Sequence, residues 1–362
     1  MDIRASFLAQ ADHCAALGSE QTARYCRYFA QHLSDDSAVG RRILTWPGDP
    51  SSGGDALALR LMGGLHALVL TGADPELSDL WAQGHDVPEA AMARVFPEVL
   101  ARHEAHLQAW LNSPPQTNEL RRSVALAAVG HWLTARYGRP LVLSELGASA
   151  GLNLYWPDWC IEVPGGTFGP ATSPVRLTPE WRGAAPVIAR PDIADRAGVD
   201  LNPLHPVTDR LRLLSYIWAG QPDRLARTQA ALSYAAPRPR LVEQGDAADW
   251  LERRLGQVHG GVIHLVCHTI AWQYFPDTTR AKIDGLMRRA AGSAGPRLLR
   301  FGMERDDSGA SGAAMTLYDP AEGGRSPSAG WIFTAAGSTG SLRLSREICH
   351  ERTLGQCSGR SA

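Results

Sequence analysis

From Leu141 to Asn153 the chain reads Leu-Val-Leu-Ser-Glu-Leu-Gly-Ala-Ser-Ala-Gly-Leu-Asn: an apolar strand, an acidic residue, a turn of small residues, then the start of a helix. Small side chains at Gly147, Ser149 and Gly151 let a backbone turn sharply and approach a ligand, and a helix N-terminus offers free amides. Glu145 and Asn153 bracket that turn with polar groups. Asp200 ends the next strand-like run, Ala197-Gly198-Val199-Asp200, where a carboxylate can accept both protons of a ribose diol. A third acidic position, Asp246, follows Val242-Glu243-Gln244-Gly245. After the apolar run Val262 to Cys267 comes His268-Thr269-Ile270-Ala271-Trp272-Gln273-Tyr274-Phe275-Pro276. In that loop His268 is a candidate base, Trp272 and Tyr274 offer aromatic faces to a cation, with Tyr274 grouped with His268 as catalytic, and Gln273 can position a substrate. A polar stretch nearer the N-terminus, Gln116, Asn118, Glu119 and Arg122, is a further candidate for substrate contact, because functional groups concentrate on loops held by a rigid scaffold.

The strand-acid-turn pattern resembles the first motif of the class I S-adenosylmethionine-dependent methyltransferases, acidic-apolar-Gly-x-Gly-x-Gly. Glu145, Gly147 and Gly151 match it, and Ser149 stands where the middle glycine would be. The resemblance implies S-adenosyl-L-methionine as cofactor, held by Glu145, Gly147, Ser149, Gly151, Asn153 and Asp200. It also implies that Asp246 receives the adenine amino group, and that the chain is an enzyme transferring a methyl group to a small or medium-sized acceptor. The chain as a whole also resembles the bacterial domain-of-unknown-function family 2332. That likeness is carried by Pro114 to Glu119, Glu145 to Asn153, Glu180-Trp181-Arg182-Gly183, Asp200-Leu201-Asn202-Pro203 and the His268 to Pro276 loop.

Each of these residues also has a structural reading. Asp200 can form a turn with Asn202, Asp246 can cap the helix that begins at Ala247, and Asn118 can cap the helix after it. His268 can be a buried histidine bonded to its surroundings, and Trp156, Trp159 and Trp181 can pack an insertion. His264 and His268, four residues apart on a strand, are ~13 Å apart, too far to share one ion. His103 and His106 have no third ligand nearby in sequence, so no metal is expected. Two rival functions remain on the same fold: a nicotinamide-dependent oxidoreductase, whose fingerprint would place its third glycine at Leu152, and a non-catalytic binding scaffold.

These residues need elements to hold them. Up to about Tyr137 apolar residues recur at three- and four-residue spacing, as in Phe7 to Leu17, Ala56 to Leu70, Ala90 to Leu111 and Asn118 to Tyr137, which predicts a helical region over residues 1–138. From Arg139 short apolar runs alternate with helical stretches (Asp209 to Ala235, Ala247 to Leu255, Thr278 to Ala291). That alternation predicts an α/β, Rossmann-like three-layer sandwich around a mostly parallel, seven-stranded sheet over residues 139–350. The last strands would be Met315 to Leu317, Trp331 to Thr334 and Leu342 to Leu344, as a closing antiparallel strand and hairpin. A Trp- and Pro-rich insertion at about 155–192 would lie over the sheet's carboxyl edge, and residues 351–362 would be a loose tail.

The 362 residues include 44% hydrophobic and 20% charged side chains with a net charge of -1, so an ordinary globular core is expected. The near balance of 36 basic and 37 acidic residues gives no bulk attraction to nucleic acid or to an anionic membrane. No run approaches the ~18 apolar residues of a membrane span, and no basic-then-apolar leader opens the chain. The six cysteines, at 14, 26, 160, 267, 349 and 357, lack the pairing of a zinc site or a disulfide scaffold. A cytoplasmic protein acting on a small molecule is the expectation; the oligomeric state is not legible.

Overall fold

The computed structural model describes residues 2–182, 184–258, 260–291, 297–305, 311–318, 329–331, 341–343 and 346–348. In chain order the first elements are helices α1 (Ile3–Ala16), α2 (Glu20–His32), α3 (Ala38–Leu44), α4 (Leu57–Thr71), α5 (Pro75–Ala82), α6 (Glu89–Arg102), α7 (Glu104–Leu111) and α8 (Ser123–Tyr137). Strands β1 (Leu141–Leu146), β2 (Cys160–Val163), β3 (Gly166–Phe168), β4 (Arg176–Leu177), β5 (Glu180–Arg182) and β6 (Ile193–Asp200) follow. Then come α9 (Arg210–Ser215), α10 (Pro222–Ala235), β7 (Val242–Gln244), α11 (Ala247–Gln257), β8 (Ile263–Thr269), α12 (Asp277–Ala291), β9 (Arg297–Arg305) and β10 (Ser311–Tyr318). Short strands β11 (Ala329–Trp331), β12 (Ser341–Arg343) and β13 (Arg346–Ile348) complete the described chain.

These elements divide into two compact units. One comprises residues 1–117 and 204–236, the other 118–203 and 237–362. The helical unit is built on one apolar core: Phe7, Ala11 and Cys14 of α1, Tyr25, Cys26 and Phe29 of α2, Leu57, Leu61 and Leu65 of α4, and Phe96 of α6. Helices α1 and α5 start where the sequence supplies caps. Asp2 accepts from the Ala5 amide, and Asp74 accepts from Leu77 with Pro75 at the first helical position of α5. The stretch Ala90 to Leu111, expected as one helix, is two, because His103 leaves helical geometry. The buried Asp74 carboxylate fixes that break by bonding His103 Nε2 at 2.8 Å and Arg102 at 2.9 Å. Asp209 to Ala235 likewise divides into α9 and α10, interrupted at Gly220 and restarted by Pro222 at the first position of α10.

The second unit is a Rossmann-like sandwich. Its main sheet runs β10-β9-β8-β1-β6-β7, with β9, β8, β1, β6 and β7 parallel and β10 antiparallel to β9. Among the described residues this sheet has six strands, not the seven expected. The segments around Trp331 and Leu342 pair elsewhere, β11 with β13 and β12 with β5. Because side chains alternate along a strand, each strand feeds both faces. Leu146, Val199, Val266 and Leu298 meet Ala248, Trp250 and Leu251 of α11 and Ile283 and Met287 of α12 on one face. Toward the other lie α8 and the 3-10 helix Leu152–Asp158: Arg196 of β6 reaches the Leu154 carbonyl and Asp158, and Arg297 of β9 sits 4.4 Å over the Tyr137 ring. The insertion is a small sheet, β3-β2-β4. Trp156 and Trp159 are buried in it, and the Trp156 indole packs against Gly130 of α8 so closely that any side chain there would collide with it.

Candidate functional site

The parallel order places β1 between β8 and β6, so the chain leaves β1 and β8 toward opposite sides of the sheet at their carboxyl ends, the switch point of a doubly wound fold. The Leu146-Gly147-Ala148-Ser149-Ala150-Gly151 turn sits there. Gly147 and Gly151 have φ of +73° and +72°, and Ser149 adopts +53°. The glycines are required twice over. A Cβ on Gly147 would lie 2.5 Å from Ala271 Cβ, and one on Gly151 would lie 2.8 Å from Val242. Gly151 thus closes on β7 rather than lining open space.

The amides of this turn are largely consumed. Gly147 and Ala148 both donate to the Val199 carbonyl, Ser149 donates to Asp200 Oδ2 at 2.8 Å, and Gly151 donates to the Ala148 carbonyl. The helix start that the sequence marks at Asn153 is a 3-10 helix, Leu152–Asp158. Pro157 and the buried Trp156 and Trp159 turn the chain into the small sheet instead of up a crossover helix. Its first amide, Leu152, is capped by Asn118 Oδ1 at 2.8 Å.

Glu145 is the chemically unusual group. It is 2% exposed, and burial pushes its carboxyl up to about 8, helped by the nearby Asp200 charge and opposed by Arg122 and the Asn153 amide. At neutral pH it is chiefly protonated. Glu145 Oε2, Asn153 Nδ2 and Ser149 Oγ are buried polar atoms without a hydrogen-bond partner among the described residues. Ser123 donates to Asn153 Oδ1 at 2.8 Å, and Arg122 Nη1 donates to the Thr269 carbonyl at 2.9 Å. Asp200, besides holding Ser149, accepts from the Asn202 amide at 2.9 Å, so it is both a turn former and the tie between the ends of β1 and β6. Asp246 caps α11, accepting from Ala248 and Asp249, and also bonds Thr279 at 3.3 Å.

Register decides which candidates meet. Glu145 pairs with Cys267 and Gly198, so Glu145, Cys267, Thr269 and Asp200 share one face, and the Cys267 thiol is pushed well up by burial and then by Glu145. His268 points to the opposite face, toward α12. Its Nδ1 lies 2.7 Å from Glu304 Oε1, its ring stacks on Trp272 at 4.8 Å, and burial lowers its pKa despite Glu304. The structure therefore brings together Glu145, Gly147, Ser149, Gly151, Asn153, Asp200, Asn118 and Arg122. His268 and Trp272 form a second cluster behind them. Gln273 and Tyr274 are exposed in the short turn Trp272–Tyr274, and Glu119 accepts from the Arg121 amide. Gln116 belongs to the helical unit. His264 is fully buried in a polar cluster: Nε2 contacts Ser144 Oγ at 2.8 Å, and Arg254 bridges Ser144 to Asp195. Burial there holds the imidazole down to about 3.

Three participants escaped the sequence reading. Ser123 looks like any helix residue. Glu304 sits in a strand remote from the loop it bonds. Ile270, a β-branched residue at φ +51°, gives no sequence signal of its strained backbone. Among the described residues no three His, Cys, Asp or Glu side chains cluster as a metal site, and no helix is long and apolar enough to cross a membrane.

The chain belongs to the family described as uncharacterized protein conserved in bacteria (DUF2332), whose model matches residues 4–345. No curated protein and no solved structure matches it.

Proposed function

We propose that this chain binds S-adenosyl-L-methionine at the carboxyl ends of β1 and β6 and transfers its methyl group to a small or medium-sized acceptor. The observation that carries the reading is the chemistry of the glycine turn. A dinucleotide needs free amides at a helix N-terminus to hold its pyrophosphate. Here the amides of Gly147, Ala148, Ser149, Gly151 and Leu152 are already bonded, and two carboxyl groups, Glu145 and Asp200, stand at the turn. With its amides already bonded, the turn offers a diphosphate no cradle and suits a ligand that is neutral or positive where it meets Asp200.

The donor set fits an adenosyl sulfonium. The cofactor, when bound, supplies a methyl group on a positively charged sulfur. Asp200 keeps acceptor capacity on both oxygens for hydroxyl donors beyond its two backbone bonds. Glu145 Oε2, Ser149 Oγ and Asn153 Nδ2 are buried without a hydrogen-bond partner among the described residues, and a bound ligand with polar groups would satisfy them. Tyr274, 67% exposed, keeps its ring open to a cation at the same edge of the sheet. The protein's contribution to such a transfer is alignment and exclusion of water, which needs no base unless the acceptor atom carries a proton.

Calorimetric titration with S-adenosylmethionine, S-adenosylhomocysteine and reduced nicotinamide dinucleotide tests the reading. Binding of both adenosyl compounds with dissociation constants in the micromolar range is expected. Binding of the dinucleotide alone would replace the methyltransferase with an oxidoreductase.

A further inference from the structure

We propose that Glu304 is a positioning residue that fastens the Ile270–Phe275 loop against the Gly147 turn and thereby sets the affinity of the cofactor site. The part concerning affinity rests on the function proposed above; the part concerning the loop does not.

Hydrogen bonds and ring contacts converge on this loop. A single carboxylate oxygen, Glu304 Oε1, takes His268 Nδ1 at 2.7 Å, the Ala271 amide at 3.1 Å and the Trp272 amide at 3.1 Å. The Ile270 amide donates to the Met303 carbonyl at 2.7 Å, holding a β-branched residue in the left-handed region, a conformation that persists only where surrounding bonds impose it. Trp272 contacts both the His268 ring and the Arg300 guanidinium, which lies 4.9 Å from the indole centroid, and Arg300 is itself paired with Asp284. The His268 ring needs the bare backbone of Gly302, where an added Cβ would come within 2.6 Å of it.

The loop thus secured presses Ala271 onto Gly147, the first glycine of the turn. Release of Glu304 would free two amides and the histidine together, and the strained Ile270 would relax. His268 accordingly serves the loop: with Nδ1–H directed at Glu304 and its ring face against Trp272, it transmits the fixed position of β9 to the segment that covers the turn. Glu304 Oε2 has no hydrogen-bond partner among the described residues, so there the carboxylate is held through Oε1.

Hydrogen exchange of the free full-length protein, combined with S-adenosylhomocysteine titration, tests this on wild type, Glu304→Ala and Glu304→Gln. Glutamine retains an acceptor oxygen for the three N–H donors, whereas alanine retains none. Exchange at the Ala271 and Trp272 amides is expected to rise at least tenfold in Glu304→Ala, with much of the protection restored in Glu304→Gln. S-adenosylhomocysteine affinity should fall at least tenfold in Glu304→Ala and recover in Glu304→Gln. Unchanged exchange in Glu304→Ala, or equal loss in both variants, overturns the clamp. Faster exchange with unaltered affinity overturns its role at the site. If the wild type binds no S-adenosylhomocysteine, the cofactor reading fails, and faster exchange confined to the loop still supports the clamp.

Discussion

Glu145 concentrates the electrostatics of the site in one proton. Burial raises its folded-state pKa to about 8, so the folded chain retains a proton that the unfolded chain releases near the ordinary carboxylate value. The stabilisation this gives, measured against Glu145→Gln, is full in acid and is lost as the pH rises toward 8. The slope is up to ~1.4 kcal/mol per pH unit between the two values. Urea denaturation of both proteins at pH 5 and pH 7.5 checks it, and a difference independent of pH contradicts a buried, protonated Glu145. The turn around this residue was legible in the sequence because strand, acid and small residues are contiguous. Glu304 was not, since it lies 36 residues from His268 and two of its three partners are backbone amides, which carry no side-chain signature.

Elements put these residues in register, and two of them can be loosened selectively. Gly151 combines a φ of +72° with a 2.8 Å approach to Val242, so Gly151→Ala is expected to cost about 1–3 kcal/mol through backbone strain and displacement of β7. Thermal denaturation reads this directly. Trp156, fully buried against Gly130 of α8, anchors the insertion, and Trp156→Ala is expected to cost about 3–5 kcal/mol. A loss below about 1 kcal/mol would mean that the small sheet is an appendage. The parallel strands were legible as short apolar runs, α11 by its Asp246 cap and α12 by its helical pattern. The 3-10 helix after Gly151 was not, because a glycine turn after a strand ordinarily opens an α-helix, and the aromatic packing of Trp156 and Trp159 overrides that local preference.

At the scale of the whole molecule, the helical unit is discontinuous, and its second segment, 204–236, is inserted between two adjacent strands of the sheet, β6 and β7. Nothing in the periodicity of α9 marks it as a partner of α4. The contact is made by shape: Tyr216 lies against the bare backbone of Gly63 and donates to the Ser113 carbonyl at 3.3 Å. Tyr216→Ala should cost ~3 kcal/mol and speed amide exchange in α4 and α9 together. Exchange confined to α9 would contradict that packing. The proposed cofactor site lies at the carboxyl ends of β1 and β6, and hydrogen exchange with and without S-adenosylhomocysteine tests it most directly. New protection is predicted over residues 145–154, 198–202 and 268–276. Binding without protection there, or protection confined to the helical unit, would contradict the assignment of the site.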